Sequence, residues 1–274
     1  MTARTRLFVR RELQASFNAR WFWAYAAVFL LGDLLLTTLG LGDTAIYGYR
    51  GFAKAFAALV DLALLFVPLM ALFPAAASVA EDRESGALEY LLAQPVTAGE
   101  VYASKWAGLA LAVLLGLSLG FGASGAVAVW RGVPADLVLT LFGFVALLAL
   151  VFVTLGLSFS AASRSRARAI TAGILVWLAL AALGTLGIML AFIRWGFPED
   201  LLAVWSFVDP VEAFRLGVVA ALDADLSLLG PLGADLVSRL GAEGTQALAA
   251  ASLMAWTAGA WMAGRMLFAR AGGR

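Results

Sequence analysis

Residues 137–163 read LVLTLFGFVALLALVFVTLGLSFSAAS, a run without one charged side chain. A helix crossing the hydrocarbon core of a bilayer needs about 20 mainly apolar residues, and this run exceeds that length. Three more charge-free runs lie at 106–130, 169–193 and 244–264. Two others carry a single acid each: 21–42 with Asp33, and 55–80 with Asp61. Six transmembrane helices are expected, at about 21–40, 57–80, 106–130, 137–161, 169–193 and 245–266. Strands of a membrane barrel would instead alternate polar and apolar residues over about 10 positions. Ala, Leu, Gly and Phe fill these runs with no period of two.

Composition agrees. Of 274 residues, 63% are apolar and 14% charged, and the mean hydropathy is +0.92. Soluble domains hold about 45–50% apolar and about 25% charged residues, so too few polar groups remain to coat a water-exposed globule. The chain reads as one membrane-spanning all-α domain over 1–274. It has no cysteine and no histidine, which removes disulfides, thiolate chemistry and the commonest metal ligand and general base. No metal site is expected. A net charge of +1 gives no field that would draw nucleic acid.

Thirteen of the 19 Lys and Arg residues fall on one side of this arrangement, including Arg4, Arg6, Arg10, Arg11, Arg83, Lys105, Arg164, Arg166 and Arg168. By the positive-inside rule both termini face the cytoplasm. The segment of about 194–244 then faces outward, into the periplasm of a cell with an inner membrane. The first run is too long for the apolar core of a cleaved signal peptide and reads as a retained span.

Between spans two and three the cytoplasmic chain carries Glu81, Asp82 and Glu84, then Gly86, then Leu88, Leu91 and Leu92, and Pro95. The leucines share one helical face, acids suit a helix start, and proline ends the ladder. A short amphipathic helix is expected, with a leucine face that nothing in the chain covers and that suits a partner. At the N-terminus Val9, Leu13 and Phe17 repeat every fourth place among arginines, the pattern of an interfacial amphipathic helix resting on lipid.

Span three places small residues at every fourth position from Ser104 to Ala128, Gly116 and Gly120 among them. Such a stripe admits a close neighbour, within the chain or in a second copy. Asp33 and Asp61 are intramembrane acids, which point either to function or to structural hydrogen bonding. The outward segment contains Asp209-Pro210-Val211-Glu212-Ala213-Phe214-Arg215, a helix start with an N-cap acid and proline at the first helical position. It predicts a helix over about 210–222 inside a small periplasmic lobe, with Arg215 bound to a nearby acid or to a partner. No phosphate-cradling GxxxxGK[ST] motif is present. Ser158 has no histidine to activate it as a nucleophile.

These features together resemble the ABC type-two exporter permeases. The resemblance rests on Glu81-Asp82, Gly86-Ala87-Leu88, Leu91-Leu92, Pro95 and the downstream Lys105, placed between spans two and three; Ala98 departs from the basic residue common in that family. It implies that the segment is a coupling helix docking on a separate cytoplasmic ABC ATPase. ATP and magnesium then bind that subunit, none binds here, and the permease works as a homodimer without catalysing chemistry. Within the family the chain is most similar to the NosY-type permeases, which serve maturation of nitrous oxide reductase. That similarity covers most of the chain, in its length, its six spans and the long outward segment with the 209–216 stretch, and implies a periplasmic partner resembling NosD. A permease for lipids, drugs or another small molecule is the alternative. An intramembrane enzyme or an ATPase-independent scaffold is more remote.

Overall fold

The computed structural model describes residues 3–272 apart from 48, 95, 183, 185–186, 188–189, 191–193, 196–198 and 223–229. Described side chains begin at Val9 and also exclude 20–21, 33, 36–37, 39–58, 92, 199–200, 202–203 and 230–236. Pro95 and the side chains of Asp33 and Leu92 thus lie outside the described residues. Every regular element described is helical: α1 Ala3–Asn18, α2 Arg20–Tyr47, α3 Tyr49–Glu84, α4 Ala87–Leu92, α5 Ala98–Trp130, α6 Ala135–Ala162, α7 Arg166–Ala182, α8 Glu199–Val208, α9 Pro210–Ala221 and α10 Gly230–Gly272.

Four helical stretches are long and apolar enough to cross a bilayer: Leu59–Glu84, Ala98–Trp130, Ala135–Ala162 and Val237–Arg270. They match expected spans two, three, four and six. The first run falls within α2, and the fifth begins in α7, beyond which the run is described only in part; the apolar described stretches of both are shorter.

The charge-free run at 137–163, which forms α6, is the centre of the bundle. Leu148, Ala149, Val151, Phe152 and Leu157 are fully enclosed. Apolar helices gain little by leaving lipid for one another, so close backbone packing and polar contacts must hold them. Both occur where α6 crosses α3. A Cβ on Gly156 would stand 2.7 Å from the Leu72 carbonyl oxygen and 3.1 Å from the Ala76 nitrogen. One turn on, the Ser160 hydroxyl accepts from the amides of Val79 (3.0 Å) and Ala80 (2.9 Å). This contact lies just past Pro74, which withholds one amide from the α3 ladder.

The small-residue stripe of α5 is filled from within the chain. A Cβ on Gly108 would meet Glu12 Cβ at 2.5 Å, one on Gly116 would meet Met70 Cε at 2.6 Å, and one on Gly120 would meet Phe29 Cδ1 at 2.8 Å. Of the two neighbours the sequence admitted, the structure selects α1, α2 and α3 at these glycines. In its N-terminal part α10 kinks at Gly241, whose φ is +74°. The helix restarts with the Thr245 hydroxyl donating to the Gly241 carbonyl at 2.9 Å.

Candidate functional site

The chain between α3 and α5 builds the site. The last turn of α3 delivers Glu81, Asp82, Arg83 and Glu84. Gly86 then reverses direction at φ +74°, a conformation that L-residues other than Asn and Asp rarely adopt. The single-turn α4 follows. Thr97 restarts the helix through a capping box: its hydroxyl accepts from the Glu100 amide at 3.2 Å, and the Glu100 carboxylate accepts from the Thr97 amide at 2.9 Å. Two turns into α5, the chain presents Lys105.

Lys105 is enclosed, with 4% of its side chain exposed. Its ammonium lies 2.6 Å from Asp82 Oδ2 and 2.9 Å from Glu12 Oε1, and donates to the Ser78 hydroxyl at 3.0 Å. One cation therefore ties the N-terminal helix, the end of α3 and the start of α5. Isolated buried charge is costly, so such a group persists only when fully engaged. Glu12, the sole carboxylate before Asp33 in the sequence, is the partner that periodicity did not single out. Val9 and Ser16 on the same helix are also buried. The apolar side of α1 therefore packs on α2 and α5 as well as suiting lipid.

The other acids face the turn between α6 and α7. Glu81 pairs with Arg166 at 3.3 Å, and Glu84 accepts from the Arg166 amide at 3.1 Å. Arg83 donates to the carbonyls of Ala161, at 3.2 Å, and Ser163, closing the end of α6. Arg166, one of three arginines read as setting topology, thus also anchors the segment.

The leucine face corrects an expectation. Leu88 and Leu91 are 6% and 5% exposed, and Leu88 joins the core cluster with Val101, Tyr102 and Ala80. These two leucines are covered by the chain itself. The exposed side of α4 instead carries Glu89 and Tyr90, the tyrosine 83% exposed.

Beside the ion cluster lies an open cavity of about 770 Å³. Arg11, Glu12, Glu81, Asp82, Lys105 and Arg166 line one part of it, and Tyr25, Phe73, Ala77, Leu109 and Ile170 another.

The candidates of the 209–216 stretch gather elsewhere and are mostly buried. Asp209 caps α9 as expected, its Oδ1 accepting from Val211 (2.8 Å) and Glu212 (3.3 Å). Burial, reinforced by the Glu212 charge, pushes the Asp209 carboxyl up to about 6, while those amides and Arg215 oppose the shift. Pro210, Glu212 and Phe214 are buried, and α9 packs on α10 and α6. These side chains therefore serve the packing of α9 and not an exposed surface. Arg215 takes the internal option: it lies 3.6 Å from Glu212 and 3.8 Å from Asp61. Asp61 is itself 73% exposed at the side chain. Ser158 is structural, lying 2.8 Å from the carbonyls of both Thr154 and Ala260.

Two curated relatives align with most of the chain. Each is named a probable ABC transporter permease protein NosY, one from Pseudomonas aeruginosa and one from Stutzerimonas stutzeri. Each is 27% identical over 237 residues, covering 83% of this chain and 86% of the relative. The sequence model described as ABC-2 family transporter protein matches residues 8–272. That match takes in the ion cluster, α4 and the outward helices, and the chain belongs to the ABC-2 family of transporter proteins.

Proposed function

We propose that this permease subunit is driven by a separate cytoplasmic ATPase that docks on the exposed side of α4. The observation carrying this reading is a single exposed turn, Glu89 and Tyr90, on a helix seated by Leu88 and Leu91. Load applied to that turn passes into α3 and α5, and through the Lys105 cluster into α1. The ATPase carries ATP and magnesium, and this chain performs no chemistry. Two copies form the working unit, each with six spans and cytoplasmic termini, in the inner membrane. The NosY similarity further supports a role in nitrous oxide reductase maturation, with a NosD-like periplasmic partner.

Tyr90→Ala tests the docking turn. Exposed on the permease, Tyr90 contributes little to its fold, so the variant should insert normally. It should lose at least tenfold in ATPase co-purification, because exposed aromatic residues are frequent interface anchors. Unchanged co-purification would remove α4 as the docking element. An operon-level deletion complemented by this chain, read as nitrous oxide reductase copper content, tests the NosY-type role.

A further inference from the structure

We propose that the cavity beside Lys105 holds one zwitterionic phospholipid headgroup of the phosphatidylethanolamine type. The inference rests on the topology in the reading above, which places the cavity at the cytoplasmic headgroup level.

Its volume, about 770 Å³, lies within the roughly 300–1,000 Å³ common for ligand sites. Its two linings differ in chemistry as the two ends of an amphiphile do. Phe73, Ala77, Leu109 and Ile170 suit glycerol and the first acyl methylenes, and the polar part suits a headgroup. Arg11, Lys105 and Arg166 stand against Glu12, Glu81 and Asp82, so formal charge balances. A purely anionic headgroup would meet the carboxylates beside Lys105. A purely cationic ligand would meet the two arginines. A zwitterion answers both signs.

The donor chemistry narrows the class further. A primary ammonium offers three N–H donors, which the carboxylates of Glu81 and Asp82 accept. A choline headgroup offers none. Arginine guanidinium groups match phosphate oxygens in paired geometry, and Arg11 and Arg166 are both exposed at the cavity. The lining comes from α1, α2, α3, α4, α5 and α7, so an occupant would bridge the N-terminal helix to the rest of the bundle.

The test is native mass spectrometry of the purified permease–ATPase complex after delipidation, titrated with phosphatidylethanolamine, phosphatidylcholine and phosphatidylglycerol. One phosphatidylethanolamine per permease chain should be retained at least tenfold more tightly than the other two lipids. Ala77→Trp fills the apolar wall and Ser85→Trp the polar rim; each should weaken that retention at least tenfold. Free phosphoethanolamine should not displace the lipid, because acyl contacts contribute. Equal retention of the three lipids, or full retention in both variants, would overturn the proposal. Displacement by free phosphoethanolamine would overturn the lipid assignment in favour of a soluble amino-phosphate. Lipid mass is read on the permease whether or not the ATPase stays bound, so the docking reading and this one fail separately.

Discussion

Lys105 is one of two lysines among 19 basic residues, and its surroundings explain why a lysine stands there. Its flexible stem lets a compact ammonium reach partners on three elements. Replacing it with methionine keeps the apolar stem but leaves Asp82 and Glu12 facing the site without their cation. Breaking a buried ion pair from one side costs about 3–5 kcal/mol. Lys105→Met should therefore lower the thermal unfolding temperature of the purified permease clearly, whereas Glu12→Gln, which leaves the Lys105–Asp82 pair, should lower it less. Equal stability of both variants and the parent would contradict the cluster. Asp209 supplies a second test. A carboxyl raised from 3.8 to about 6 by burial binds more protons folded than unfolded over that interval, so this group's contribution to stability falls as pH rises from about 4 to about 6. Amide protection of Val211 and Glu212, corrected for intrinsic exchange, should decline across that window. Asp209→Asn retains a capping oxygen and should flatten the slope; an unchanged slope would place its origin elsewhere.

Among elements, legibility in the sequence followed the range of the interactions involved. The start of α9 was readable because the Asp209 carboxylate acts on amides only two and three residues away, with Pro210 at the first helical position. The Lys105 cluster was only half readable: the lysine stood in a family motif, but Glu12 reaches it across 93 positions, which no local period encodes. The leucine face of α4 misled for a related reason. Spacing shows that Leu88 and Leu91 share a face, not whether the chain folds back to cover it, and here it does. A buried leucine is worth about 1.5–3 kcal/mol. Leu88→Asp should thus disturb the permease itself, detectable as faster proteolysis of the 85–100 segment before any ATPase is added. Parent-like proteolysis would contradict its burial. The stripe on α5 makes a parallel prediction. Gly108→Val would drive a side chain into Glu12 Cβ and the Val9 carbonyl. It should release α1 and raise amide exchange over 9–17 while leaving α6 protected; unchanged exchange would place α1 elsewhere.

At the scale of the whole molecule, charge-free runs fixed the membrane class because lipid tolerates few backbone solutions other than a closed helix. Where helices turn and which faces meet is set by contacts such as Gly156 against Leu72 and Ser160 against Val79, and those leave little trace in composition. The absence of cysteine makes topology directly measurable. Glu243→Cys should react with an impermeant thiol reagent only from outside, and Ala162→Cys only from the cytoplasm; the reverse pattern would invert the permease. The central claim is that the exposed side of α4 receives the ATPase. It is tested most directly by cross-linking Tyr90→Cys to the ATPase subunit in membranes, with Trp130→Cys, equally exposed at the opposite end of α5, as the control. The account expects an ATPase adduct from position 90 and none from position 130. An adduct from position 130, or none from position 90 in an assembled complex, would contradict it.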